Sequence, residues 1–544
     1  MDWIKLADRL YPQVDGTPDD MERKYPPRNL PEGAKVTRFA PSPTGFIHMG
    51  ALFPSFVCMR LARDSGGVFF LRIEDTDEKR AVEGAVAQIV EGLNDYGVRF
   101  DECAVNDGGY GPYSQRARVG IYHIYAKELV RRGLAYPCFC SEDALASMRA
   151  EQEAEKANFG YHGRWAKCRD LSLESIEERL QNGEMFVLRL RVPTSPAACG
   201  RHPLPDEGGR MVVLDDPAKG RIEMPPNEID HVLLKSDGVP TYHFAHAVDD
   251  HLMRVTHVVR GDEWLATYPL HHMLFDLLGF PRPKYIHIAP LMKQDGGGKR
   301  KLSKRKDPEC ALSWYAEQGY PVDTVREYIM TLLNSNFEDW RRANPASDSN
   351  TFPFSPKKMN AAGALFDLQK LDDVSKNVIS RMTAEEVYRQ LTAWAERFDP
   401  GFHTLLSRDP AYTEALLSIG RGGAKPRKDI ARWGEAKAYL SFFFDELFTP
   451  AAPPDPAFCK AYAGIYDPEA PQDEWFAAIK ALGGQYGYCP DVKQYKADPS
   501  GWKGSVADAS ASLRLALTGR ESSPDMFQVM QMLGQERAIK RLMM

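Results

Sequence analysis

Two segments far apart in the chain carry residue types suited to phosphate chemistry. The first, Arg38-Phe-Ala-Pro-Ser-Pro-Thr-Gly-Phe-Ile-His-Met-Gly-Ala51, holds two prolines and two glycines ahead of a helical pattern. Free backbone N–H groups and the positive end of a helix converge at such a place and attract anions. The prolines stiffen the loop, Gly45 and Gly50 allow close approach of a ligand, and His48 can donate to a phosphate oxygen. It is neither a G-x-x-x-x-G-K-[ST] nor a G-x-G-x-x-G loop. The second, Lys299-Arg-Lys-Leu-Ser-Lys-Arg-Lys306, packs six cations into eight residues after Gly296-Gly297-Gly298, a sequence that predicts a flexible hinge. A charge run alone usually marks a solvated face. The apolar Leu302 inside this run predicts that the segment packs somewhere, and a lysine aimed at a pentavalent phosphate would stabilise charge that develops only in the transition state.

The elements that must position these segments read as a parallel α/β sheet. A strand at Lys35–Phe39, a helix from about His48 to Asp64 and a buried strand at Val68–Ile73 open it. Thr76 or Asp77 could cap the helix after that strand. The region 114–243 changes character, with a helix at Gln115–Arg132, a charged helix at Glu142–Lys156 and short strands such as Phe186–Val192; it reads as an insertion. Strand character returns at Thr256–Arg260 and Tyr285–Pro290. From about Pro356 the pattern is helical, broken by Gly/Pro turns, which predicts an all-α half. Residues 1–34 read as an extension.

The chain has 544 residues, 43% apolar and 26% charged, with a net charge of -6. That length asks for several domains, and the charge does not fit a protein that only coats nucleic acid. No apolar run is long enough for a membrane span, and the first residues lack the core of a secretory signal, so a cytoplasmic protein is expected. Nine irregularly spaced cysteines argue for reduced thiols rather than a disulfide framework.

Taken together, the two segments resemble the paired signatures of class I aminoacyl-tRNA synthetases, His48-Met-Gly-Ala51 and Lys301-Leu-Ser-Lys-Arg305. The surrounding text resembles glutamyl-tRNA synthetases: Arg38–Gly45, Leu71-Arg-Ile-Glu-Asp-Thr-Asp77, Leu234–His243, Asp249-Asp-His251, Val258–Trp264, Gly363–Leu371 and Ser510–Gly519. The resemblance runs from about residue 35 to the end. It implies an α/β class I synthetase catalytic domain of Rossmann type with an acceptor-stem insertion, then an all-α anticodon-binding half. The expected divisions are 1–34, an extension; 35–113 and 244–297, the two catalytic halves; 114–243, the insertion; 298–384, a stem-contact domain with the lysine loop; and 385–450 and 451–544, two helical anticodon subdomains.

The resemblance implies activation of L-glutamate by ATP with Mg²⁺, then transfer to the 2′-hydroxyl of the terminal adenosine of tRNA(Glu); a monomer is expected, since nothing in the sequence suggests an obligate interface. It puts His48, Lys301 and Lys304 on the phosphates and Ala40, Gly45, Gly50, Glu263, Trp264 and Leu302 around the nucleotide. Arg38 falls on the γ-carboxylate, Arg260 near the α-carboxylate and Glu74 on the α-ammonium, with Ser42 and Tyr242 also touching glutamate. His246 stands where the family often has asparagine, and it is expected either to contact glutamate or to pack among His243 and His251. Bare acidic clusters such as Glu74, Asp75 and Asp77 are more often solvated turns or caps.

Cys138-x-Cys140 falls where some members hold zinc. Trp165 occupies the place of a third cysteine, and Cys168 lies three residues on. Cys138, Cys140 and Cys168 with Tyr161 or His162 would supply four ligands only in a changed loop. Structural thiols, and no metal, are the expectation. For RNA, Arg421–Arg432 has five cations against one aspartate. Arg427 falls at the family's anticodon-discriminating position, and Lys357-Lys358 could meet the backbone. Competing readings are a glutaminyl enzyme, disfavoured by the helical C-terminal half; a base-modifying glutamylase, which lacks that half; an enzyme that also charges tRNA(Gln); and a non-catalytic RNA-binding paralogue, disfavoured by the retained chemistry.

Overall fold

The computed structural model describes residues 1–43, 47–77, 82, 84–194, 210–303 and 305–544. They form two compact units: Met1–Leu312 with Ile329–Phe366, and Ser313–Tyr328 with Asp367–Met544. The expected 298–384 segment is therefore shared between the two.

The first unit is built on parallel strands. Val36–Phe39 pairs with Val68–Leu71, and His257–Gly261 pairs with Lys284–Ile288. Thr256 joins the pairs, its amide donating to the Val36 carbonyl and its hydroxyl accepting the Val36 amide. Short β-branched and aromatic runs buried on both faces are what such a sheet requires. Gly67 is obligatory at the strand entry, since a Cβ there would lie 2.0 Å from the Lys35 carbonyl oxygen. The Met49–Arg63 helix follows the first strand, and burial of Leu52, Phe53, Phe56, Val57 and Met59 anchors it. These limits match the expected strands and helix to within two residues. A helix start capped by Thr76 or Asp77 would fall on residues outside those described; the next described helix, Ala85–Asp95, has Gly84 at its N-cap.

The insertion carries an antiparallel sheet ordered Ala135–Cys138, Val187–Leu190, Val232–Leu234, and a hairpin of Val212–Asp216 with Gly220–Met224. The first 34 residues are not a loose extension. An Asp2-capped amphipathic helix, Trp3–Leu10, buries Leu6 and Ala7 against the Val119–Arg131 helix. Beyond the Pro18–Lys24 helix, Arg28 forks onto Glu102 at 2.5 and 3.0 Å and stacks over Tyr110. Glu22 meets His251 at 2.5 Å and Arg254 at 2.7 Å. The segment thus straps the insertion helix to the end of the Tyr242–Leu252 helix.

The second unit is helical, as expected, apart from a two-residue strand pair. Its core gathers Val387, Leu391, Phe402, Leu406, Phe458, Leu513 and Val529. Thr383 with Glu386 and Ser505 with Asp508 close capping boxes, satisfying amides that a helix start leaves unpaired. Among the described residues no helix is long and apolar enough to cross a membrane.

Candidate active site

A cavity of about 480 Å³ opens where the four strands of the two parallel pairs end. Ligands of open α/β sheets bind outside the carboxyl ends of the strands, and four such ends contribute to the walls here. Arg38, Phe39, Ala40 and Ser42 leave the first strand, Glu74 follows the second, and Arg260, Gly261, Glu263 and Trp264 leave the third. Ile288, Ala289, Pro290 and Leu291 leave the fourth; these were missed, although the rule about strand ends applied to Tyr285–Pro290 flags them. His48, Gly50, Tyr242, Lys301 and Leu302 complete the expected lining. Gly45 and Lys304 lie outside the described residues.

His48 sits at the N-cap of the Met49–Arg63 helix in extended backbone. A Cβ at Gly50 would come 2.9 Å from its ring nitrogen, so glycine there makes room for the imidazole at the helix start. The lysine segment is a hairpin rather than a free loop. Met292–Asp295 pairs antiparallel with Gly298–Lys301, turning at Gly296-Gly297. Leu302 is buried, as its place in the run predicted, and its amide donates to the Leu291 carbonyl at 2.9 Å. Asp307 holds the hairpin's end. It accepts two bonds from Arg300 at 2.5 and 2.8 Å, one from Lys293 and one from the Ser303 amide. The Arg300 guanidinium chiefly holds the Asp307 carboxyl well below the usual carboxylate range. Lys301 extends beside Glu263 at 3.9 Å.

Arginines and carboxylates alternate behind the cavity. Arg38 Nε donates to both Asp250 oxygens at 3.1 Å, and the wholly buried Arg72 donates to Asp250 at 2.6 Å. Burial opposes the charge on Arg38, but the Asp250 carboxylate more than offsets it. Asp249 takes Arg118, Gln115 and Tyr122. Glu74 is 3.5 Å from Arg72, and its Oε1 has no hydrogen-bond partner among the described residues. Burial pushes its carboxyl up to about 7, against the pull of Arg72. Asp75 is structural: it accepts from the Ser114 hydroxyl and the Arg116 amide.

His246 does not line the cavity, which corrects the expected contact with glutamate. It is fully buried behind Tyr242, its Nδ1 3.0 Å from Asp250 and its Nε2 2.8 Å from the Tyr285 hydroxyl. Burial holds it neutral, near a pKa of about 4. Its side chain supports the floor beneath Arg38 instead. The alternative, a packed histidine in a polar cluster, holds in part: His246 packs against His271, which in turn contacts His243, while His251 meets Glu22 instead.

In the insertion, the thiol sulfurs of Cys138, Cys140 and Cys168 lie within 4.8 Å of one another. The Tyr161 hydroxyl is 3.3 Å from Cys140 Sγ, whereas His162 turns away to the Asn158 carbonyl. Three soft donors and a phenol oxygen fit a tetrahedral ion in type and number. In the second unit, Arg421 donates to the carbonyls of Leu417 and Ile379, and Arg432 is taken up by Gln318 and Glu435. Those two serve the fold rather than a ligand. Arg427 forks onto Asp429 at 2.5 and 2.9 Å. Lys357 and Lys358, in the first unit, are exposed.

The fold and cavity define the catalytic domain of a class I tRNA synthetase. Residues 35–341 match the family described as tRNA synthetases class I (E and Q), catalytic domain, and residues 505–544 match an anticodon binding domain. The chain is 49% identical to the glutamate–tRNA ligase of Acetivibrio thermocellus across 100% of this chain and 99% of that relative. It is 44% identical to that of Clostridium perfringens strain 13 across 100% of both. A crystal structure of a glutamate tRNA ligase from Elizabethkingia meningosepticum in complex with its amino acid superposes with a TM-score of 0.73 at 26% identity, covering 93% of this chain and 98% of that one. The chain belongs to the glutamate–tRNA ligase family. Because these relatives match the whole chain, residues 1–34 fall inside the likeness, not outside it as the sequence motifs alone indicated.

Proposed function

We propose that the cavity binds ATP and L-glutamate side by side and joins them, and that the chain then passes the glutamyl group to tRNA(Glu). The observation that carries this is the convergence of Arg38, Arg260 and Glu74 with His48 and Lys301 in one cavity. Glutamate brings two carboxylates and one ammonium; two arginines and one glutamate are their complement. Arg38 receives the γ-carboxylate, Glu74 the α-ammonium and Arg260 the α-carboxylate, while Ser42 and Tyr242 close the pocket.

An α-carboxylate oxygen attacks the α-phosphorus, the bond to the bridging oxygen breaks, and pyrophosphate leaves with the electron pair. His48, Lys301 and Lys304 stabilise charge on the phosphates; Ala40, Gly50, Leu302, Glu263 and Trp264 shape the nucleotide pocket. Mg²⁺ would arrive bound to the ATP phosphates, with no dedicated protein cage required, and would help neutralise their charge beside His48, Lys301 and Lys304. The 2′-hydroxyl of the terminal adenosine then attacks the adenylate carbonyl, its proton passes to a phosphate oxygen of the leaving group, and AMP leaves. No enzyme nucleophile is needed; positioning and charge stabilisation supply the rate. The insertion takes the acceptor end and the helical unit takes the anticodon arm, with Lys357, Lys358 and Arg427 toward RNA phosphates and bases. Cys138, Cys140, Cys168 and Tyr161 would hold zinc as a structural clamp in the insertion, which metal analysis of the purified protein tests. Charging of purified tRNA(Glu) and tRNA(Gln) with labelled glutamate tests the reading. Charging of tRNA(Glu) is expected; charging of neither would overturn it.

A further inference from the structure

Arg260 is held on three sides and open on the fourth. Its Nε donates to His287 Nε2 at 2.9 Å, its Nη1 lies 2.8 Å from His271 Nδ1, and its guanidinium carbon lies 4.6 Å over the Tyr285 ring. Its Nη2 is buried and has no hydrogen-bond partner among the described residues. Guanidinium has donors only, so His287 Nε2 must present a lone pair, and the ring proton must sit on Nδ1. That proton points at Asp216 Oδ2, 2.8 Å away. The same oxygen accepts the backbone amide of His287 at 2.8 Å. The other oxygen, Oδ1, accepts the amides of Ala218 and Lys219 and so pins the carboxylate in the turn of its own hairpin. Asp216 is 2% exposed and His287 is fully buried.

Register makes the relay possible. Arg260 and His287 are direct partners in the parallel pair of His257–Gly261 with Lys284–Ile288, so their side chains leave the same face of the sheet one strand apart. Asp216 comes from the insertion hairpin, which lies against the Lys284–Ile288 strand. A wrong tautomer would aim an N–H at a guanidinium N–H, and a protonated ring would add a cation beside Arg260. Burial keeps the His287 pKa below its ordinary value even though the Asp216 carboxylate raises it.

We propose that Asp216 and His287 are positioning residues of the amino-acid site: Asp216 fixes the tautomer and plane of His287, and His287 locks Arg260 so that its open Nη2 faces the substrate carboxylate. This rests on the reading that Arg260 binds that carboxylate. The relay is absent from the site's own lining, because neither residue reaches the cavity.

The test is glutamate-dependent exchange of pyrophosphate into ATP, with tRNA(Glu) present, for Asp216→Asn, His287→Asn, His287→Gln and Arg260→Lys. Glutamine can still offer an oxygen to Arg260 Nε, whereas asparagine keeps only the donor toward Asp216. Asp216→Asn and His287→Asn should raise the KM for glutamate by about tenfold or more while the KM for ATP stays near that of the parent. His287→Gln should stay within about threefold of the parent, a partial rescue. If Arg260→Lys raises the KM for glutamate but neither asparagine variant does, the relay is overturned and the site reading stands. If Arg260→Lys has no effect, the site reading itself fails. If the KM values for ATP and glutamate rise together as the midpoint falls, the pair is merely structural and the proposal is overturned.

Discussion

Burial pushes the Glu74 carboxyl up to about 7, which places its ionisation near neutral pH. As an acceptor for the α-ammonium it must be a carboxylate, so lowering the pH through about 7 removes it from the free enzyme. The kcat/KM for glutamate should therefore fall by close to tenfold per pH unit below that point, while the KM for ATP changes little. Glu74→Gln should be slow and lack this limb; a flat parental profile between pH 6 and 8 would remove Glu74 from the role. Arg38, His48, Glu74, Tyr242, Arg260 and Lys301 were legible in the sequence because each lies in a short motif at a strand or helix end. His246 was legible as unusual but not as buried, since helix periodicity cannot tell a pocket floor from a pocket wall. Asp216 and His287 carried no signal: they are 71 residues apart, on elements that only tertiary packing brings together.

At the scale of elements, the lysine hairpin and the N-terminal strap do the positioning. Asp307 collects Lys293, Arg300 and the Ser303 amide at the foot of the hairpin. Asp307→Asn should let the hairpin drift. Single-turnover adenylate formation should slow by on the order of 10²-fold, with ATP binding nearly unchanged, since small displacements of charge-stabilising groups cost that much. An unchanged rate would take the hairpin out of the chemistry. Three glycines ahead of a charge run read as a hinge; strand pairing, which sequence periodicity does not report in so short a segment, turned two of them into a tight turn. The strap makes a different prediction. The Arg28 and Glu102 side chains are both buried, at 7% and 9% exposure, and Arg28→Ala would leave the carboxylate with Tyr113 as its one side-chain partner among the described residues. Denaturant unfolding should report a loss of about 3 kcal/mol. Stability within error of the parent would mean that the strap is peripheral.

At the scale of the whole molecule, the chain crosses between its units more than once. Ser313–Tyr328 precedes the last stretch of the first unit yet belongs to the second, where Tyr320 bonds Asp372 and the Gly319 carbonyl accepts the Trp433 amide. A chain ending at Phe366 would leave that segment's buried apolar surface without cover, and dye-binding and light scattering should report exposed hydrophobic surface and aggregation. A clean soluble monomer would show the units to be simpler than this. The all-α character of the second half was legible from periodicity and caps, but this interleaving was not, because it depends on which helices meet and not on what each helix is. Toward RNA, Lys357→Ala with Lys358→Ala should lower the log–log salt slope of tRNA binding by about 1 to 2.

Activation of glutamate as an adenylate in the cavity is open to direct measurement. Purified protein with tRNA(Glu) should exchange pyrophosphate into ATP when L-glutamate is added, and far more slowly with L-glutamine, whose neutral amide would form no ion pair with Arg38 in the proposed site. No glutamate-dependent exchange, or equal exchange with glutamine, would contradict the account.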